Sequence, residues 1–312
     1  METVASQPSR PPRVGSAGCG IYNERADDGP APWERNVVIT ILAFVLSLAL
    51  QVLAPVGLAI WLRRRIGGSW RAFGLGAVVF ALFQLCTWQP LSTYLDQVVG
   101  SALHDPIHSF FWLVAMAGVG ALLEEGGRLI GYRWLFPKLD LELEPPEALM
   151  VGLGHAALET SLLIAGLTFL HLVLFLLLRS VDAASLLGSL GAEPQDELVA
   201  TLVNLADTRW HQPLWMALDR ALSLPHQMAW ALLVAQSLLS RQKRWFGYAI
   251  CYHWGVAVIV PGVATLAGLP IAEMLNVVLA GCSLLIALRL LAVHSVDLWQ
   301  SETPRARKPS RF

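Results

Sequence analysis

Apolar positions along this chain are gathered into long blocks separated by short polar or charged stretches, and neither an alternating nor a strictly 3.6-residue pattern dominates. Blocks near residues 36–62, 70–89, 109–132, 148–178, 213–240, 246–267 and 271–293 each approach or exceed the ~20 residues that a helix needs to cross the hydrocarbon core of a bilayer. The pattern therefore predicts an all-α, polytopic transmembrane helix bundle of about seven spans, filling residues 36–295. Six-span alternatives stay open. Residues 1–35, rich in Pro, Arg, Ser and Ala and without an apolar core of signal-peptide type, are expected to form a disordered tail. The first span then serves as an uncleaved anchor, and residues 296–312 form a short C-terminal tail.

Composition strengthens this picture. Hydrophobic residues make up 55% of the chain and charged residues 14%, which leaves too little polar sequence for a separate soluble domain. Lys and Arg orient the bundle. Arg63, Arg64, Arg65 and Arg71, then Arg133 and Lys138, then Arg241, Lys243 and Arg244, and finally Arg305, Arg307, Lys308 and Arg311 fall in alternate connections, whereas the others hold only Arg179 and Arg209. By the positive-inside rule the C-terminus is expected in the cytoplasm of a cell with this protein in its cell membrane. The net charge of −1 gives no basic surface for a nucleic-acid partner. Cys19, Cys86, Cys251 and Cys282 lack metal-binding or disulfide-framework spacing. Trp33, Trp70, Trp112, Trp134 and Trp245 near span ends fit an interfacial aromatic belt.

Ionisable residues within the blocks carry the functional signal, because each costs about 2.5–3.5 kcal/mol at mid-bilayer and must face inward, paired or solvated. The third block contains Glu124-Glu125-Gly126-Gly127-Arg128, with Glu124 and Arg128 one turn apart. The fourth begins Gly152-Leu153-Gly154-His155-Ala156-Ala157-Leu158-Glu159, again pairing ionisable groups four apart, with small residues that permit close approach of another backbone. Asp219, Arg220 and His226, the last behind Pro225, lie in the fifth, and His253 in the sixth. A helix-stabilising salt bridge or a hydrogen-bonded core histidine accounts for any one of these alone. Depth links them: at ~1.5 Å per residue Glu124 lies ~13 Å from Arg133, while His155 and His253 lie ~10 Å inside the arginine-rich ends of their spans. Glu159 and His226 fall up to about two turns deeper. His104, His108, His171, His211 and His294 are expected at loops and span ends.

Glu-Glu-x-x-Arg in one span, Gly-x-Gly-His-x-x-x-Glu in the next and single histidines in two later ones resemble the YhfC-like family of intramembrane proteases, over roughly residues 109–260. That family resembles in turn the CAAX-processing and bacteriocin-processing membrane proteases. The resemblance implies peptide-bond hydrolysis of a membrane or membrane-associated polypeptide. Its candidate catalytic residues are Glu124 as general base, Glu125, His155 orienting water, and His226 and His253 as oxyanion donors, with Arg128 and Glu159 in support. Relative to the CAAX-processing branch, the Glu-to-Arg spacing is one residue shorter and Ala257 stands where that branch has Asn or Asp.

A metal-free glutamate mechanism is favoured because no H-E-x-x-H occurs. The donor types of His155, His226, His253 and Glu124 would nevertheless match a catalytic zinc site. Two other readings use the same residues: a proton-coupled transporter or channel with a Glu/His/Arg relay, and a haem protein ligated by His155 and His253.

Overall fold

The computed structural model describes residues 32–302, apart from 104, 180, 182–184, 186, 187 and 189–195. The expected N-terminal tail, most of the C-terminal tail, Cys19 and His104 lie outside the described residues. Among the described residues the chain forms eight helices: α1 Pro32–Ile66, α2 Trp70–Val98, α3 Ile107–Leu135, α4 Pro145–Leu178, α5 Asp196–Ala206, α6 His211–Leu239, α7 Arg244–Ala267 and α8 Leu269–Glu302. Six of them, α1 to α4, α7 and α8 to Ala292, are long and apolar enough to cross a membrane by length and composition.

The block at 213–240, expected as the fifth of seven spans, forms α6, which is not among these six and is the least lipid-like of the long helices. Its 29 residues reach about 43 Å, enough to span. Asp219, Arg220, His226 and Gln227 lower its hydrophobicity, and α1, α3, α4, α7 and α8 surround it. A helix enclosed on all sides by protein has no need of an apolar face toward lipid, so polar residues concentrate there.

Burial is inverted relative to a soluble bundle. Leu53, Phe111, Leu266 and Met274 point outward, while Glu125 is 0% and Arg128 1% exposed. Lipid solvates the first group, and the bundle interior must satisfy the second. Close helix contacts depend on glycine. A Cβ on Gly154 would stand 1.8 Å from the Phe73 carbonyl oxygen of α2, and one on Gly152 would stand 2.5 Å from the Gln227 carbonyl oxygen of α6. These two positions wedge α4 between α2 and α6 and carry His155 into the centre.

Three helices contain π-helical stretches, at Phe80–Trp88, Gly131–Leu135 and Glu159–Ile164. The last begins at Glu159, whose backbone N–H still bonds the His155 carbonyl, so the wider turns follow the His155–Glu159 turn. Two of the arginine-rich connections meet at one end of the bundle: Arg71 donates to the Leu139 carbonyl at 3.4 Å, and the backbone N–H and hydroxyl of Ser69 both donate to Glu147. Trp70 and Trp134 are exposed there, and Arg63 lies over the Trp70 ring at 5.6 Å, as an interfacial belt requires.

Candidate active site

Glu124, Glu125 and Arg128 come from α3, His155 from α4 and His253 from α7, and all five are buried. Glu124 Oε2 is the point of convergence. His155 Nε2 lies 3.2 Å from it, His253 Nε2 4.0 Å and the Arg128 guanidinium 3.9 Å. His155 Nε2 thus faces the carboxylate, while its Nδ1 has no partner among the described residues. The ring also packs edge-on to Phe80 at 4.9 Å.

The second carboxylate serves a different purpose. Glu125 Oε1 accepts from Arg128 and from His253 Nδ1, the latter at 2.7 Å. Fixing the proton on Nδ1 leaves Nε2 of a neutral ring as an acceptor facing Glu124; the same nitrogen becomes a donor in the imidazolium. Arg128, placed by helical spacing beside Glu124, thus makes its close bond one residue along. Its other terminal nitrogen donates to Gln227 Oε1.

From Gln227 the polar network continues outward. Gln227 Nε2 donates to Glu159 Oε2 at 3.2 Å, and Glu159 Oε1 accepts from Arg220 at 2.8 Å. Arg220 also pairs with Asp219. Asp219 Oδ1 accepts from Asn276 Nδ2 at 3.3 Å, and Asn276 Oδ1 is 3.1 Å from His226 Nε2. The remaining nitrogen of His226 is 2.7 Å from Ser283 Oγ, which in turn is 2.7 Å from the Tyr252 hydroxyl. Both nitrogens of His226 are therefore engaged on α8. It lines the same cavity as Glu124 but does not meet it.

Trp230 stands between the two histidines. Its ring stacks on His253 at 3.8 Å and 8°, and on His226 at 5.5 Å and 15°. The cavity bounded by Glu124, His253, Trp230, His226, Arg220 and Asn276 has a volume of about 240 Å³. Glu124, His155 and His253, expected in one layer, are thus brought together, while Glu159 and His226 occupy the far wall.

Reading by residue type passed over Gln227, Trp230, Tyr252, Asn276 and Ser283. Two of these carried a usable signal, since Asn276 and Ser283 are polar positions seven apart, and hence on one face, in the largely apolar stretch between Glu273 and Arg289. His171 corrects the expectation of a surface residue: it contacts Phe44 edge-on at 5.0 Å, and its Nε2 is 2.8 Å from Thr208 Oγ1. His108 is exposed as expected, and the side chain of His294 lies outside the described residues. Cys86, Cys251 and Cys282 are free and exposed on the outside of the bundle.

A family model described as YhfC intramembrane metalloprotease matches residues 50–279. The uncharacterized membrane protein YhfC of Bacillus subtilis (strain 168) is 25% identical over 217 residues, which is 68% of this chain and 81% of that protein. No solved structure matches.

Proposed function

Because this multi-pass membrane chain belongs to the YhfC intramembrane metalloprotease family, we propose that it hydrolyses a peptide bond of a membrane or membrane-associated polypeptide, using water activated by Glu124. The observation that carries this reading is the asymmetry of the two adjacent carboxylates. Glu125 is consumed by Arg128 and His253, whereas Glu124 stands farther from Arg128, at 3.9 Å, and opens on the cavity.

The family description implies a metal ion, and the side chains do not fit one as they stand. Among the described residues no three His, Cys, Asp or Glu groups are disposed to hold an ion. His226 is turned to Ser283 and Asn276, and the Arg128 guanidinium lies 3.9 Å from the carboxylate oxygen that a metal would need. The ligand set of His155, His226, His253 and Glu124 therefore does not assemble, and the steps below use the chain's own groups.

Glu124 takes a proton from a water in the cavity, and the water oxygen forms a bond to the scissile carbonyl carbon. His155 Nε2, 3.2 Å from Oε2, orients that carboxylate and the water beside it. The carbonyl oxygen gains the negative charge and is met by His253 Nε2 in the imidazolium form paired with Glu125. Glu124 then returns the proton to the amide nitrogen as the C–N bond breaks, releasing a carboxylic acid and an amine. Glu125, Arg128, Gln227 and Trp230 act as positioning residues.

The test compares N-termini across the membrane proteome of cells expressing the wild type or Glu124→Gln at equal level. N-termini formed only with the wild type are expected. Equal profiles, with both proteins folded and a susceptible substrate present, would remove the protease reading. The unbroken hydrogen-bonded chain from Asp219 to His253 favours one second reading, a proton-coupled transporter. In that case Glu124→Gln stops proton flux in vesicles without changing any N-terminus. A site near the arginine-rich, cytoplasmic end would draw substrate from that side or laterally from the bilayer.

A further inference from the structure

The cavity holding Glu124 adjoins a second one of about 570 Å³, with which it shares the lining residues Asp219, Val260 and Pro261. The second cavity lies between α5, the first half of α6, the last turns of α7 and the start of α8, at the end of the bundle away from the arginine-rich connections. Trp215, Met216, Pro261 and Leu269 give it apolar walls. Glu273 gives it one charged feature that the proposed reaction does not use.

Glu273 is 3% exposed. Its Oε2 is 3.5 Å from Asn276 Nδ2, and Oε1 has no partner among the described residues and is not sealed from the cavity. A carboxylate accepts about four hydrogen bonds, and burying one with a single long contact is costly unless a cation arrives. The two adjoining cavities are lined by Glu124, Glu159, Asp219 and Glu273 against Arg220 as the one lysine or arginine among the described lining residues. An acidic residue early in a helix is ordinarily explained by the helix dipole and water, but Glu273 lines an apolar-walled chamber that shares Asp219, Val260 and Pro261 with the candidate active site.

We propose that this chamber is a substrate subsite for a lysine or arginine side chain near the scissile bond. The aliphatic stem packs on Trp215, Met216 and Pro261, and the charged head pairs with Glu273 beside Asp219. The assignment rests on the protease reading for its role in cleavage, but the binding it predicts can be measured separately.

Two measurements test it. N-termini formed only with the wild type should show Lys or Arg enriched at one position close to the cleavage point. Glu273→Gln should reduce those cleavages at least tenfold, and Glu273→Asp should restore part of them. In the second, the purified full chain is titrated with Nα-acetyl-lysine methylamide and with its norleucine isostere, which lacks the ammonium group. The lysine compound should bind at least tenfold tighter to the wild type, and the difference should vanish in Glu273→Gln. Equal binding of the two compounds, or a preference that survives Glu273→Gln in a folded variant, overturns the subsite. Wild-type N-termini without any basic preference also overturn it and leave the protease reading intact. A lysine preference with unchanged N-termini retains the cation site and removes the protease.

Discussion

Two clusters in this bundle contain the same groups, two carboxylates and one arginine, and differ in burial. In the inner one Arg128 and Glu125 have fully enclosed side chains and Glu124 is 10% exposed; in the outer one Arg220, Glu159 and Asp219 are 20–33% exposed and line cavities. Inside, Arg128 and Glu125 are each indispensable, because removing one strands a charge where no water can replace it. Outside, cavity water can take the place of a lost partner, so the same ion pairs contribute far less. The inner arrangement also divides labour: Glu125 absorbs the arginine, which leaves Glu124 available for chemistry. In the outer cluster Arg220 bridges both of its carboxylates.

The sharpest test of this contrast is Arg128→Ala. It should destabilise the protein by about 3–5 kcal/mol, seen as a large fall in melting temperature or loss of folded protein in detergent. Glu124→Gln should separate chemistry from folding: cleavage falls by roughly 10²–10⁴, with a melting temperature close to wild type. Wild-type cleavage in the Gln variant would move the catalytic role elsewhere. Gly154→Ala probes the wedge that delivers His155 and should cost about 1–3 kcal/mol through overpacking against Phe73, with a matching loss of activity. Arg220→Ala should cost no more than about 1 kcal/mol; a loss as large as that of Arg128→Ala would erase the distinction between the clusters. The smallest effect is expected from metal removal. Chelation should leave cleavage and melting temperature unchanged, and an inactivation reversed by zinc would show that the inner cluster rearranges around an ion.

Much of the inner cluster was legible because it breaks the rules of its surroundings. Glu124, Glu125, Arg128, His155 and His253 are ionisable residues in apolar blocks, and counting residues from the arginine-rich ends places three of them at one depth. The spacing places Arg128 beside Glu124, and the two do lie 3.9 Å apart, but Glu125 also lies within a turn and side-chain packing gives it the closer bond. His226 illustrates the opposite limit. Its type and depth match a catalytic histidine, and its engagement by Asn276 and Ser283 depends on how α6 and α8 pack.

The sequence alone determined that the chain is helical and membrane-spanning, because block length and hydrophobicity answer to bilayer thickness, a one-dimensional constraint. It also determined which residues had to face inward, because an ionisable group in lipid is costly whatever its neighbours. Only the tertiary structure decided that α6 is the enclosed centre of the bundle, that Glu125 rather than Glu124 makes the closer bond to Arg128, and that two cavities adjoin between α6, α7 and α8. Those outcomes depend on helix rotation and on contacts between residues far apart in the chain. Local pattern does not encode them.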